Sequence, residues 1–299
     1  MEIRVLRYFL ETAREGNMTR AAERLFISQP TMSKQLKDLE NELGAKLFIR
    51  SNYSIKLTEA GMLLRDRAED IITLVDKTAA EFRSLEESNS GDIFVGALES
   101  ESMSLFAEAV CSLQKNYPKI CCNIYSGNLA DVCERLDKGL LDFAIVMGYA
   151  DLTKYNYLEL PGKDTWGILM RKDDPLAEKD HFEISELQNL PLICSRQWIE
   201  MESPQWLGSE AKEMNIVATY NLIYNGSVMV KAGMGYAVVL DKLVSTGNDS
   251  DLVFKPLAGI SQTEMFVIWR KYQTFTPIAR LLMQELKSRL GQIALMPCP

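Results

Sequence analysis

The chain has 299 residues, of which 47% are hydrophobic and 25% are charged, a composition typical of a soluble protein with room for two domains. No apolar run approaches the 18 or so residues of a membrane span, which predicts a cytoplasmic protein. Six cysteines without a C-x-x-C pair and a single histidine give no metal-site spacing, so we expect neither a metal nor a cofactor.

The net charge of −8 is unevenly distributed along the chain. Residues 1–58 hold 10 Lys and Arg against 7 Asp and Glu, a net of +3, so the remainder carries −11. This division favours a DNA contact at the N-terminal end only. Because +3 is a modest charge, strong binding should need two copies of the domain and direct contacts to bases.

A pair of short helices is predicted near the N-terminus, behind a first helix over residues 2–14. Residues 18–25 have helical spacing around small Ala21 and Ala22, and Phe26-Ile27 forms an apolar turn after them. Ser28 is a good N-cap and Pro30 suits a first turn, so the next helix begins there. The pattern indicates a helix-turn-helix for a DNA major groove, with a generic two-helix hairpin as the alternative.

The helix that begins after Ser28 has two different faces. Met32, Leu36 and Leu39 recur at i, i+4 and i+7 and should face a core. The opposite face is polar and basic, and its side chains are suited to hydrogen bonding with base edges and phosphates. The residues expected to contact DNA from this face are Gln29, Pro30, Thr31, Ser33, Lys34 and Lys37.

Several motifs follow one another along residues 1–88. They are Leu6-Arg7-Tyr8-Phe9, Thr19-Arg20-Ala21-Ala22-Glu23-Arg24-Leu25, Ser28-Gln29-Pro30, Leu39-Glu40 with Leu43-Gly44, Leu47-Phe48 with Arg50, and Leu57-Thr58-Glu59-Ala60-Gly61. Together they resemble the N-terminal domain of LysR-type transcriptional regulators. The resemblance implies a winged helix-turn-helix domain over 1–58, with 29–37 as recognition helix and 47–57 as wing. Arg50 and Lys56 are expected on phosphates, whereas the wing tip, Asn52-Tyr53-Ser54, lacks the family's usual Arg or Lys.

Thr58 is predicted to cap a long linker helix over residues 59–87. Its apolar residues form a seam that should pair with a second copy of the helix, whereas Lys77 should face away. The seam residues are Ala68, Ile71, Val75 and Phe82. The family resemblance favours a homodimer or homotetramer, and a helix that lies on its own domain is the alternative.

After a polar linker, residues 88–299 alternate between strand and helix patterns, which predicts a mostly parallel α/β sheet. The motifs Gly139-Leu140-Leu141-Asp142-Phe143-Ala144-Ile145, Asp174-Pro175-Leu176-Ala177, Pro191-Leu192-Ile193 and Val230-Lys231-Ala232-Gly233-Met234-Gly235-Tyr236 resemble the regulatory domain of the same family. The resemblance implies a two-lobed, periplasmic-binding-protein-like α/β fold that binds an effector. Lobe one would comprise 92–161 and 267–299, and lobe two 162–266.

Ligands of open parallel sheets bind beyond the carboxyl ends of the strands, near helix N-termini. The effector-binding residues predicted by this rule coincide with the family's interlobe cleft and are Ser100, Glu101, Ser102, Ser126, Gly127, Asn128, Met147, Gly148, Ser195, Arg196, Tyr224, Asn225 and Gly226. Helix capping by the serines and a solvated Arg196 are the alternatives for single residues. Glu99 and Glu101 argue against a carboxylate effector, and Arg196 argues for one.

These patterns predict a DNA-binding transcriptional regulator, activator or repressor, that binds promoter DNA and responds to a small-molecule effector. Contact with RNA polymerase is implied by the resemblance. A solute-binding or enzymatic α/β protein with an N-terminal appendage is the alternative. One histidine and no Gly-rich phosphate loop give little support to catalysis, so we expect a protein that is not an enzyme.

Overall fold

The computed structural model describes residues 1–50, 54–86, 90–148 and 150–294. The predicted wing-tip residues Asn52 and Tyr53, the Arg50 side chain and Glu87 lie outside this description. The chain forms two compact units, Met1–Phe82 and Arg83–Pro299, each with its own core. No helix in the described part of the chain is long and apolar enough to cross a membrane.

Three helices build the first unit: α1 (Ile3–Glu15), α2 (Met18–Arg24) and α3 (Gln29–Leu43). Gly16 ends α1 in a left-handed conformation with a φ of 57°, and the Asn17 side chain caps α2. The apolar faces meet in one core in which Phe9, Met32 and Leu36 are fully buried. The predicted helix-turn-helix is confirmed.

A two-stranded wing follows, with β1 (Phe48–Arg50) antiparallel to β2 (Ile55–Leu57). Thr58 caps the next helix, α4 (Glu59–Glu86), because its Oγ1 accepts from the Gly61 N–H at 3.0 Å and donates to the Lys46 carbonyl at 2.6 Å. Gly61 lies so close to the wing that a Cβ would stand 2.2 Å from the Leu47 carbonyl oxygen. The wing and the start of α4 are therefore packed backbone to backbone.

The N-terminal half of α4 covers the core of its own unit. Ala68 is fully buried there, and Ile71 packs against the same core. Ala68 is therefore not available to a partner helix, and its predicted place in an intermolecular seam is wrong. Lys77 is also buried rather than facing away, with its Nζ 3.7 Å from Glu81. A heptad spacing identifies an apolar stripe, and part of that stripe is covered by the same chain.

The second unit alternates strands and helices along the chain. Its elements are β3 (Ser90–Ala97), α5 (Met103–Asn116), β4 (Lys119–Ser126), α6 (Leu129–Asp137), β5 (Phe143–Met147), β6 (Tyr155–Asp164), β7 (Trp166–Arg171), β8 (Leu192–Ser195), α7 (Ser203–Leu207), β9 (Ile216–Tyr220), α8 (Ile223–Lys231), β10 (Tyr236–Leu240), β11 (Leu252–Pro256), β12 (Thr263–Arg270) and α9 (Pro277–Ala294). Two five-stranded sheets result, in the orders β4-β3-β5-β12-β6 and β11-β7-β10-β8-β9. We name them lobe one and lobe two.

Both sheets are mixed rather than mostly parallel. The predicted parallel pairing holds for β4-β3-β5 and for β10-β8-β9, but β12 and β7 run antiparallel to their neighbours. The exceptions arise because the chain crosses between the sheets twice, at Thr165 and before Thr263. The predicted lobe limits at 161 and 267 consequently fall inside β6 and β12 rather than at the crossings.

Candidate functional site

The first candidate site is the outer face of α3. Gln29, Pro30, Thr31, Lys34 and Lys37 are exposed, and Ser33 is half-buried. Ser28 begins the helix, and its Oγ accepts from the Thr31 N–H at 3.3 Å. The structure thus leaves five of the six predicted residues of α3 exposed and the sixth half-buried, near a helix N-terminus that offers positive charge to phosphates.

Two neighbours of this surface come from the wing and from the turn. Lys56 on β2 is exposed, as a phosphate contact requires. Phe26, in the turn between α2 and α3, is 95% exposed and has a φ of 55°. Backbone in this left-handed region is strained for an aromatic residue. The turn is therefore apolar in composition, but Phe26 is not part of the core.

Glu40 holds α3 against the wing. Its side chain is buried, and one oxygen accepts from the Leu47 N–H at 2.9 Å and the Phe48 N–H at 3.4 Å, while the other pairs with Lys46 Nζ at 3.1 Å. Burial alone would raise the pKa of this carboxyl, but these hydrogen bonds and the Lys46 charge outweigh burial and leave the pKa below its ordinary 4.5. Sequence motifs included Glu40 without revealing this role.

The second candidate site is a cavity of about 60 Å³ between the two lobes. Lobe one contributes lining residues from the end of β5 and from just after β3 and β4, and lobe two contributes the remainder. They are Leu98, Glu99, Gly127, Asn128, Met147, Trp166, Ser195, Arg196, Gln197, Tyr220, Asn221, Leu222, Ile223, Val239, Leu240 and Leu243. Ligand sites typically measure roughly 300–1,000 Å³, so this cavity is smaller than most of them.

Five predicted effector residues line this cavity, namely Gly127, Asn128, Met147, Ser195 and Arg196. Asn128 also caps α6 by accepting from the Asp131 N–H at 2.9 Å, and the Ser195 Oγ accepts from the Trp198 N–H at 3.0 Å. Arg196 is exposed at the rim. The strand-end rule therefore found part of the lining.

The other eight predicted residues do not line the cavity; they are Ser100, Glu101, Ser102, Ser126, Gly148, Tyr224, Asn225 and Gly226. The Ser100 side chain donates to Asp164, next to the interlobe crossing, and accepts from the Ser102 backbone N–H at 3.0 Å, and the Ser102 side chain is buried away from the cavity. Glu101 and Ser126 are exposed outside the cavity, and Gly148 lines a separate groove with Trp206 and Thr263.

The error at residues 224–226 has a simple cause. The prediction started the helix near Val228, whereas α8 begins at Ile223. Asn221, Leu222 and Ile223 consequently take the places at the cavity wall that were predicted for the following residues. Tyr224 and Asn225 point to the exposed side, and Gly226 packs under Tyr220.

Glu99 makes the shortest described polar contact between the lobes at this cavity. Its Oε2 accepts a hydrogen bond of 2.7 Å from the backbone N–H of Ile223, the first residue of α8. Burial raises the pKa of the Glu99 carboxyl above its ordinary 4.5, and the hydrogen bond from Ile223 opposes that rise. The sequence indicated only that an acidic group lies near the cleft.

Gln197 makes a matching contact in the other direction, from lobe two to lobe one. Its Oε1 accepts from the Leu129 N–H, at the start of α6, at 3.0 Å. Its Nε2 donates to Glu202 Oε1 at 3.4 Å and lies 3.7 Å from Met147 Sδ. No sequence signal pointed to Gln197, because its role depends on how the lobes meet.

Comparison with known proteins identifies the family of both parts of the chain. Residues 3–62 match the family model described as "Bacterial regulatory helix-turn-helix protein, lysR family", and residues 86–291 match "LysR substrate binding domain". The HTH-type transcriptional regulator YtlI of Bacillus subtilis is 32% identical over 75% of this chain and 74% of its own length. BudR of Raoultella terrigena, also an HTH-type transcriptional regulator, is 26% identical over 94% of this chain and 99% of its own length.

Solved structures agree on the fold. Full-length CbnR in complex with its target DNA superposes with a TM-score of 0.74 at 19% identity, over 96% of this chain and 99% of that one. Full-length BenM superposes with a TM-score of 0.53 at 20% identity, over the whole of both chains. Family models that together match most of the sequence settle the assignment: the chain belongs to the LysR family of DNA-binding transcriptional regulators, with an N-terminal helix-turn-helix and an effector-binding domain.

Proposed function

We propose that this regulator places α3 in the major groove of promoter DNA, where the side chains of Gln29 and Lys34 contact base edges. Gln29 has the geometry for a bidentate pair with adenine, and Lys34 donates to guanine or to a phosphate. Lys37 and the wing residues Arg50 and Lys56 neutralise phosphates. The observation that carries this proposal is the exposed polar and basic face of α3, whose opposite face is fully buried.

The direct test is a gel-shift titration with the DNA upstream of the protein's own gene. Sequence-specific binding predicts a complex that survives an excess of unrelated competitor DNA, and nuclease footprinting then defines the operator. Equal competition by the operator and by unrelated DNA would contradict base reading by α3.

The operator-bound form is a homodimer or homotetramer held partly by α4. Among the described side chains of this helix, four large apolar ones remain solvent-exposed within the chain: Met62 is 47% exposed, Leu63 63%, Leu74 40% and Phe82 68%. Ile71 and Val75 are partly buried beside them. Two copies of α4 would cover this apolar stripe and present two recognition helices to half-sites about 34 Å, or a multiple of it, apart.

The interlobe cavity is the effector site of this proposal. A ligand shifts an equilibrium between conformations only by its difference in affinity for them, and a cleft lined by two lobes supplies such a difference. Gly127 and Asn128 face it from lobe one, and Ser195 and Arg196 from lobe two. Effector binding would change the assembly and, through it, promoter contacts and recruitment of RNA polymerase in the cytoplasm.

A ligand screen on the same promoter fragment tests the effector role. Compounds that change operator affinity should lose most of that effect when Asn221 at the cavity wall is replaced by a bulky apolar residue. An unchanged response in Asn221→Leu would place the effector outside this cavity. The exposed Tyr224→Leu variant is the control, because that side chain does not line the cavity.

A further inference from the structure

Glu99 stands where an anionic ligand of lobe two would bind. The residue lies on lobe one, just after β3, and its carboxylate accepts the N–H of Ile223 on lobe two at 2.7 Å. Ile223 begins α8, a helix of nine residues. Free N–H groups and the helix dipole make such an N-terminus a favourable position for a carboxylate or phosphate. In this protein the carboxylate is supplied by the chain itself.

A second contact joins the lobes in the opposite direction, from a side chain of lobe two to a helix of lobe one. Gln197 on lobe two accepts the N–H of Leu129 at the start of α6 on lobe one, at 3.0 Å. Each of these two helix N-termini is therefore bonded to a side chain of the opposite lobe. The space that remains, about 60 Å³, has room for a few water molecules. At this cavity the two lobes are therefore joined by hydrogen bonds from the protein's own side chains.

The charges at the cavity further restrict which ligands can bind there. Glu99 is half-buried, and the only basic side chain among the lining residues is that of Arg196, which is exposed at the rim. A carboxylate ligand would compete for the N–H that Glu99 already occupies. It would also place a second negative charge beside Glu99, where burial weakens solvent screening.

We propose that Glu99 is an internal anionic ligand, which holds the two lobes together at the start of α8 and makes the cleft reject carboxylate effectors. The ligands that suit the cleft are those that donate hydrogen bonds to Glu99 or carry a positive charge. This inference deepens the proposed function, since it names the ligand class of the same cleft. It needs no DNA to be tested.

The test removes the Glu99 carboxylate by mutation and supplies a free carboxylate, acetate, in solution. Glu99→Ala deletes the atoms of one acetate ion, because the lost group is a methylene and its carboxylate. We expect acetate, titrated into the full-length variant by calorimetry at constant ionic strength, to bind at least tenfold more tightly than to the wild type. Thermal unfolding should show the same order, with acetate raising the midpoint of the variant and not that of the wild type.

Glu101→Ala is the matched control, because this neighbouring carboxylate is exposed and does not line the cavity. Its response to acetate should equal that of the wild type. Chloride replaces acetate in a second control, which separates a carboxylate site from general screening of charge. Equal acetate affinity in wild type and Glu99→Ala, or no acetate binding by a folded variant, would overturn the proposal.

Glu99→Gln covers the case in which the alanine variant does not fold. The amide keeps an acceptor for the Ile223 N–H and removes only the charge, so acetate should bind more tightly than to the wild type, but by less than the tenfold expected where the N–H is also freed. Unchanged affinity in this variant would equally overturn the proposal. If these titrations give the expected results but no compound changes the protein's binding to its promoter, only the proposed effector function is contradicted.

Discussion

The carboxylate of Glu40 accepts the backbone N–H of Leu47 at 2.9 Å, and this bond ties the recognition helix α3 to the wing. Because the same carboxylate also meets Phe48 and Lys46, its charge is satisfied although the side chain is buried. The wing and α3 are therefore positioned as one body for DNA. Stability of this unit should depend on that single side chain.

Glu40→Gln should destabilise the helix-turn-helix unit by about 1–3 kcal/mol. The amide oxygen can still accept from the Leu47 and Phe48 N–H groups, but the amide nitrogen then faces Lys46 Nζ, which is also a donor, and the paired negative charge is lost. Amide hydrogen exchange followed by mass spectrometry reports on α3 and the wing separately from the regulatory unit. We expect faster exchange in both. Glu23→Gln on the exposed surface of α2 is the control and should leave exchange unchanged.

The same carboxylate predicts the direction of a pH effect. The folded pKa of Glu40 lies below its ordinary 4.5, so the unfolded chain binds the proton more readily than the folded one. Its contribution to stability is complete above that ordinary value and is lost as the pH falls through the lowered folded pKa. Acid unfolding of the wild-type unit should therefore be steeper than that of Glu40→Gln, and parallel acid titrations would contradict this.

Phe26→Asn should stabilise the same unit. Asparagine tolerates a φ of 55° better than phenylalanine does, and the 95% exposed ring contributes no core packing that the change would remove. A gain of roughly 1 kcal/mol is expected from relief of backbone strain, measured by thermal unfolding. A loss of stability would mean that the ring makes a contact that the folded chain needs.

Phe82→Asp should weaken assembly through α4, because the change places a charge on the exposed apolar stripe that includes Leu74. Light scattering should show a smaller particle, and operator affinity should fall with it. Thr73→Asp is the matched control, because nine residues at about 100° each place it on the opposite side of the helix. Equal masses for the wild type and Phe82→Asp would exclude pairing through this part of α4.

Local signals predicted the elements of the DNA-binding unit well. Ser28, Pro30 and the spacing of Met32, Leu36 and Leu39 define α3 because caps and periodicity are properties of neighbouring residues. They do not determine which surface covers an apolar stripe. Ala68 fits the heptad of an intermolecular seam equally well, yet it is buried in its own unit.

The cleft was harder to predict for a related reason. Asn128 and Ser195 follow strands, and the strand-end rule finds such residues from the chain order alone. Gln197 lines the cleft because it reaches across to Leu129, a contact that depends on how the two lobes meet. At α8 the rule was sound, but the helix was predicted to start too late. The predicted lining residues, 224–226, therefore lie three positions after the observed ones, which begin at Asn221.

Lys37→Ala should weaken binding to all DNA sequences to a similar extent, because an exposed lysine on this face contacts phosphate rather than a base. The logarithm of affinity should depend less steeply on the logarithm of salt concentration, by about one unit of slope per binding domain. Fluorescence anisotropy over a salt series measures this slope. If Lys37→Ala weakened binding only to operators that carry one particular base pair, Lys37 would contact a base instead.

The central claim is that the exposed face of α3 reads bases, and Gln29→Ala tests it most directly. The measurement is the affinity of wild type and variant for a set of operators in which each base pair of one half-site is replaced in turn. The account predicts a loss of about 1–3 kcal/mol on the native operator and a lost preference at one position, with the other preferences retained. Equal affinity and the same preferences at every position would contradict it.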